Sequence, residues 1–496
     1  MRLLQSIVRN FSVVAVAQVI TWTATFLFTL AQARYLAPAH FGELSLALSY
    51  AGLLAVVVDF GLTTTLSRDV AQQPAAAGRS LVASLVLRAG LWCLVMPFMW
   101  LATVVLDYDA ELQRSILILG ISLFVGGFAS SLGAYFQGRE EFFFPSLGSV
   151  AQRGTAAALG IAALALGQGV IVVAGVYVIS SIVQVVVMIP GMRKYPVAST
   201  ALDRSTLVDM CRATATLGLF WIFGAIYYNV DMLILQRLVP LENVAWYAAA
   251  YRLFQAALML LGLLGGTVLY PVVSRLSVGS REELRQAMAR AFVFLFATGV
   301  FVALVLLMMA EHIVALLYPP RDYAEAATAL RLLAPGLASM YANGVFFLAL
   351  LGLRFERGLL LMAAVLAVLN PLSNLVVIPL FAQNGSALMT TATELAVLVW
   401  VMVLTPADLR EAARPAVVVK VLLAALPAAA CLWLLREWWI VVSIPVAAVF
   451  YATAVVAVGT VPPDDLRAVR DLLGLLRPRA AHRLEAGPVS ARTVEP

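Results

Sequence analysis

The chain has 496 residues, 62% of them hydrophobic and 12% charged, with a formal net charge of +6. Ordinary soluble domains carry about 45–50% apolar and about 25% charged residues, so a soluble enzyme or nucleic-acid-binding module is excluded. What remains is an all-α polytopic membrane protein, in which the position of each positive charge carries the information.

Hydropathy, charge and Gly/Pro breaks together predict fourteen helices, which at about 20 residues each would use roughly 280 residues and leave short loops. The first six are Phe11–Gln32, Leu44–Leu66, Val82–Leu106, Ser115–Phe136, Ser146–Leu166 and Val170–Pro190. The next six are Ala213–Leu235, Ala245–Tyr270, Ala291–Met309, Leu330–Gly352, Gly358–Leu380 and Gly385–Leu404, and two more follow, Ala416–Leu435 and Trp438–Gly459. The first is longer than the roughly 7 to 15 residues of a signal-peptide core and reads as a true span.

With the N-terminus on the cytoplasmic side, Arg34, Arg114, Arg237, Arg321, Arg331 and Arg436 fall outside, and Arg88, Arg153 and Arg252 fall within spans. All other members of the 33 Lys and Arg lie in cytoplasmic connections or the tail. This bias places both termini on the cytoplasmic side of the membrane. From Asp464 to Arg477, Leu466, Val469, Leu473 and Leu476 share one helical face among arginines, a pattern that suits a helix lying on the anionic leaflet.

Arg34-Tyr-Leu-Ala-Pro-Ala-His-Phe-Gly-Glu, after span 1, resembles Arg237-Leu-Val-Pro-Leu-Glu-Asn-Val-Ala-Trp, after span 7. Beyond one gap the offset is 203 residues. An even number of intervening spans makes the two halves parallel, related by an axis along the membrane normal, and transporters built this way bind substrate between the halves. The repeat carries a face with it. Ser45, Ser49, Gly52, Val56, Asp59 and Thr63 share one side of span 2, and the offset maps them onto Ala248, Arg252, Gln255, Met259, Gly262 and Gly266. Gln18, Trp22, Thr25, Thr29 and Gln32 share a face of span 1, and Tyr228 and Asp231 one of span 7. The glycines read as helix packing.

The expected organisation is an N-terminal lobe over 1–192, a cytoplasmic linker over 193–212, a C-terminal lobe over 213–405, two further spans over 406–460 and a cytoplasmic tail over 461–496.

Ionisable residues inside spans are Asp59, Arg88, Arg153, Asp231, Arg252 and Glu394. A charge in hydrocarbon costs roughly 2.5–3.5 kcal/mol or more, so such residues face a wet cavity or a partner. Arg88 and Arg153 are close enough to the span ends to snorkel instead, and an Asp231 ion pair is the structural alternative for a cavity-facing Arg252. Guanidinium groups in a wet cavity suit a phosphate or pyrophosphate, which they grip bidentately. The candidate substrate-binding residues are therefore Arg252, Arg153 and Arg88, with Gln255, Gln18 and Thr25 beside them. Asp59, Asp231 and Glu394 are candidates to bind H⁺ or Na⁺, or to hold an arginine in place. No cofactor is expected. Cys93, Cys211 and Cys431, and His40, His312 and His482, have no metal-ligand or disulfide spacing, so no metal is assigned.

Ala33-Arg34-Tyr35-Leu36 with Phe41-Gly42, Asp59-Phe60-Gly61-Leu62, and Asp231 followed by Tyr247-Ala-Ala-Ala-Tyr251 resemble the Wzx-type polysaccharide flippases of the MOP exporter superfamily. The resemblance covers most of residues 1–404. It implies two six-helix lobes in a V around a central cavity, and alternating-access translocation of undecaprenyl-pyrophosphate-linked oligosaccharide, an O-antigen or exopolysaccharide unit, from the inner to the outer leaflet. In that pattern Asp59 matches an acidic position closing span 2 and Asp231 one in span 7. The arginines match no fixed motif. The extra helix pair is similar to the MurJ branch of lipid II flippases. A MATE-type drug or cation exporter is the rival transporter. A polysaccharide polymerase or ligase would carry a large external loop, and the longest outside connection, Glu311 to Ala329, is short. The implied partners are a polyprenyl-pyrophosphate-linked glycan, membrane lipids, and polysaccharide polymerase and chain-length proteins, with no nucleic acid.

Overall fold

The computed structural model describes residues 2–195, 203–262, 276, 280–353 and 355–460. The tail from Asp464 to Arg477, Gly266 and the inner end of span 8 lie outside these residues. The described chain is helical: α1 Arg2–Tyr35, α2 Pro38–Asp59, α3 Leu62–Gln72, α4 Ala77–Val105, α5 Ala110–Gly138, α6 Phe143–Ala165 and α7 Val170–Lys194. Then come α8 Arg204–Leu238, α9 Leu241–Gly262, α10 Arg281–Leu317, the short α11 Pro320–Tyr323, α12 Ala326–Gly352, α13 Glu356–Leu404, the short α14 Ala407–Arg410, α15 Pro415–Leu434 and α16 Ile440–Ala457.

Local chemistry sets the helix starts. Pro38 and Pro415 occupy first-turn positions where no backbone N–H is needed. The side chains of Asp109 and Ser280 accept from the amides of Leu112 and Glu283, satisfying donors that the first turn leaves open. Asp203 does the same for α8, and the Ser205 hydroxyl and amide hold its carboxyl below the ordinary range.

Eleven of the described helices are long and apolar enough to cross a membrane. Arg357–Leu404 within α13 holds two of the expected spans; α6 and α9, at the fifth and eighth expected spans, are not among the eleven, and the count of about fourteen is roughly met. The helices form two six-helix lobes and a terminal pair. In the first lobe α1 packs on α6, α6 and α5 on α7, and α4 on α5; in the second, α10 and α13 pack on α12, and α8 on α13. Helix α2 crosses between them, lying on α5 and also on α8 and α9. The terminal pair α15 and α16 packs on the outside of α10. Leu166, Trp439 and Val441 are exposed, as befits a surface that meets lipid. Phe292, Leu333, Tyr341 and Phe346 are buried at the centre of the second lobe.

One expected boundary shifts. Span 2 was expected to run unbroken to Leu66, yet the helix stops at Asp59, because Phe60 and Gly61 take left-handed backbone with φ of 44° and 76°, and then resumes to Gln72. Spans 11 and 12 are separate helices as expected, joined by a tight reversal at Ala382 with φ 48° and ψ −132°, so that Asn370 on the first arm of α13 reaches Thr393 on the second at 3.2 Å. Paired charges extend α10 past its apolar stretch, through contacts of Arg281 with Asp408 at 2.7 Å and Arg285 with Glu411 at 2.9 Å.

Candidate functional site

The first parts of the two expected polar faces meet, whereas Asp59 and Thr63 turn to Arg88 within the first lobe. A cavity of about 200 Å³ opens between the lobes, lined from α2 by Ser45, Leu48 and Ser49 and from α9 by Ala248, Tyr251, Arg252 and Gln255. Tyr228, Asn229, Asp231 and Met232 of α8 complete it. Arg252 donates to Thr29 Oγ1 at 3.1 Å and Ser45 Oγ at 3.5 Å, and its guanidinium lies 5.4 Å from the centre of the Phe41 ring. Its partners among the described residues are all neutral. The expected alternative of an Asp231–Arg252 ion pair is not formed among the described residues, although both side chains line one cavity. Gln255 is exposed there.

Asp231 and Glu394 are buried, at 5% and 2% exposure, and each is satisfied by a tyrosine. Asp231 accepts from the Tyr247 hydroxyl and from the Met232 amide at 2.8 Å, and the Tyr247 hydroxyl also meets Thr390 Oγ1 at 3.2 Å. Glu394 accepts from the Tyr227 hydroxyl and from Asn343 Nδ2 at 3.3 Å. On α13, Asn370 Nδ2 donates to Thr393 at 3.2 Å and Asn374 Nδ2 to Asn370 Oδ1 at 2.9 Å, while Asn374 Oδ1 and Ser386 Oγ are buried without partners. Tyr227, Tyr247 and Asn343 were not anticipated from sequence. Tyrosine counts as apolar in a hydropathy sum, and the only available signal was Tyr247 within the Tyr247-Ala-Ala-Ala-Tyr251 motif.

Asp59 and Arg88 form the third cluster. Arg88 is 5% exposed; its terminal nitrogen donates to Asp59 Oδ1 at 2.5 Å and Thr63 Oγ1 at 2.7 Å, and its Nε to Ser131 Oγ at 2.9 Å. The expectation that Arg88 faces the cavity or snorkels to the interface is corrected: it is consumed within the first lobe, and Asp59 takes the role of holding an arginine in place. The break that follows Asp59 carries Phe60 across to the other lobe, where its ring atoms lie 2.6–2.8 Å from the point a Cβ on Gly218 would occupy. Only glycine admits that contact.

The remaining predicted residues lie apart. Arg153 is exposed on α6, and Gln18 and Thr25 are half-buried on α1, with Thr25 Oγ1 donating to the Thr21 carbonyl at 2.8 Å. None of the three is among the residues lining the interlobe cavity. A wider, open cavity of about 640 Å³ lies where α3 meets the end of α5, lined by Thr63, Ser67, Arg68, Gln137, Arg139 and their neighbours.

At the rim that the charge pattern assigns to the outer face, the lobes are pressed together. Arg34 donates to the Leu316 carbonyl at 3.1 Å and Arg237 to the Leu106 carbonyl at 3.2 Å, while the Phe41 and Tyr323 rings meet edge-on at 5.9 Å. A Cβ on Gly42 would stand 2.4 Å from the Leu241 carbonyl oxygen, a backbone atom that cannot swing aside. Gly42→Val is therefore expected to force the ends of α2 and α9 apart at about 1–3 kcal/mol of overpacking. Thiol labelling of a cysteine placed at Ser49 should rise in that background, and unchanged labelling would show that the seam does not depend on this approach.

Comparison with known proteins places this geometry in context. The chain matches the family described as polysaccharide biosynthesis protein over residues 7–277, and the MatE family over residues 219–380. No curated protein matches significantly along the chain. Among solved structures, it resembles the lipid II flippase MurJ in an inward closed conformation, with a TM-score of 0.71 at 14% identity over 92% of this chain and 100% of that one. An inward-facing multidrug resistance MATE family transporter of the MOP superfamily gives a TM-score of 0.63 at 16% identity, over 76% of this chain and 92% of that one. A MOP superfamily transporter from Pyrococcus furiosus, described by the reverse polarity of its binding pocket, gives 0.59 at 16% identity, over 82% and 96%. At these identities the likeness to solved structures is one of fold.

Proposed function

We propose, for a chain that belongs to the polysaccharide biosynthesis protein family and has a MurJ- and MATE-like transporter fold, that it flips a polyprenyl-pyrophosphate-linked oligosaccharide from the inner to the outer leaflet of a bacterial cytoplasmic membrane by alternating access. The observation that carries the reading is Arg252, a guanidinium in the interlobe cavity whose described partners are neutral hydroxyls and an aromatic ring. Such a group can take an anion without first breaking an ion pair.

Ligand cavities run to about 300–1,000 Å³, and the space around Arg252 is about 200 Å³, so the lobes part to admit the headgroup. Both termini would be cytoplasmic, and the product would pass to polymerase and chain-length proteins outside. The two buried carboxylates of the second lobe, Asp231 and Glu394, each held by its own tyrosine, are the groups that would carry a coupling H⁺ or Na⁺. Gln255 already lines the cavity, and Gln18, Thr25 and Arg153 would come into play as the lobes separate. The chain acts in this reading as a transporter and not an enzyme.

A second reading, a lipid II-type substrate, is favoured by the similarity that extends over the full length of the MurJ chain. Translocation in reconstituted vesicles distinguishes the substrates. The parent protein should move a polyprenyl-pyrophosphate oligosaccharide, and Glu394→Gln should remove the response to an imposed H⁺ or Na⁺ gradient. Cation efflux with no lipid movement would overturn the flippase reading in favour of MATE-type export.

A further inference from the structure

A second group of charged side chains lies at the expected outer rim, apart from the interlobe cavity. His40 and Glu43 occupy the start of α2, and Glu111 the first turn of α5. One potential ligand atom from each lies within 4.8 Å of the other two. Sequence spacing cannot reveal this grouping, because Glu111 comes from a different helix hairpin.

Glu43 is the unusual member. It is 9% exposed, and its Oε2 is buried without any hydrogen-bond partner. A carboxylate oxygen removed from water with no donor is strongly disfavoured, and proteins relieve that cost with a proton, a pairing cation or a metal. Among the described residues no Lys or Arg is paired with Glu43, and Asp109, whose side chain is engaged in capping α5, adds more negative charge nearby. Two carboxylates with a neutral imidazole sum to a charge that a dication matches. His40 is exposed and opens the group to the aqueous side.

We propose that His40, Glu43 and Glu111 bind a divalent transition-metal ion of the Zn²⁺ class. One imidazole with two carboxylate ligands suits a borderline metal, whereas Mg²⁺ prefers oxygen ligands and retained water. Zinc takes nitrogen and oxygen ligands at about 2.0–2.2 Å, so two ligand atoms on one tetrahedral ion stand roughly 3.3–3.6 Å apart, and side-chain rotations that draw the three groups together by up to about 1.5 Å close the site. Three protein ligands and a water complete a tetrahedral site. The ion ties α2 to α5 immediately beside Phe41 and Gly42, where the lobes meet, and it would hold that end of α2 rigid during any opening of the seam.

The test is Zn²⁺ binding to the purified full chain in detergent after treatment with a chelator, followed by calorimetric titration. A single saturable site is expected in the parent, with affinity at least about tenfold weaker in His40→Ala and in Glu111→Gln, and retained in millimolar Mg²⁺. His40 and Glu111 are chosen because neither is as buried as Glu43, whose replacement could disturb folding. No Zn²⁺ bound by the parent, or affinity unchanged in both variants, overturns the site. Displacement by millimolar Mg²⁺ overturns the transition-metal class.

Discussion

Arg252→Ala is expected to reduce translocation of a lipid-linked oligosaccharide about 10- to 100-fold while leaving the fold intact. A hydrogen bond to a charged group is worth roughly 1.5–3 kcal/mol, and each 1.4 kcal/mol is about tenfold; one guanidinium–pyrophosphate contact accounts for a loss of that size. Folding should be spared because Thr29 and Ser45, which accept from Arg252, are hydroxyls that can turn to other acceptors. Arg252→Lys keeps the charge and loses the planar fork, so its transport should fall between the two. Arg153→Ala is the comparison: that side chain is exposed and does not line the cavity, and a much smaller loss is expected. Parental rates in Arg252→Ala, measured in vesicles of the same protein content, would remove the arginine from substrate binding.

The spans were legible because burial in lipid imposes one rule on every residue of a segment, and the cavity faces were legible because the repeat printed them twice. Ser45 and Ser49 do meet Ala248, Arg252 and Gln255 across one space. What sequence could not supply were pairings between helices far apart in the chain. Tyr227 reaches Glu394 and Tyr247 reaches Asp231 and Thr390, yet each tyrosine contributes to hydropathy as if it were apolar. The break at Phe60 was hidden for a related reason. Gly61 signals a turn, but a phenylalanine with φ of 44° is uncommon, and its ring's close fit against Gly218 comes from a helix far away in the chain. Asp59 and Arg88 were recognised separately as costly charges. That they pair follows from the same cost, once α2 and α4 are known to be neighbours.

That pair should govern stability more than any other polar contact in the first lobe. Asp59→Asn is expected to lower unfolding free energy by about 3 kcal/mol, because breaking a buried ion pair leaves one charge without its partner. The loss is asymmetric. Arg88 has 6% side-chain exposure against 31% for Asp59, so removing the acid strands a buried guanidinium, whereas Arg88→Met leaves a carboxylate that water can still reach and should cost less. The double replacement Asp59→Leu with Arg88→Met should recover much of the stability, since apolar isosteres of a buried pair are often neutral or better. Thermal unfolding in detergent ranks the three variants. Equal midpoints for Asp59→Asn and the parent would mean that the pair does not hold the break in place. Transport by the double variant then tests a separate consequence of position: Asp59 immediately precedes the residue that leans on Gly218 of the opposite lobe. If the ion pair also sets that contact, transport stays impaired after stability returns; if it only holds the first lobe together, transport returns with it.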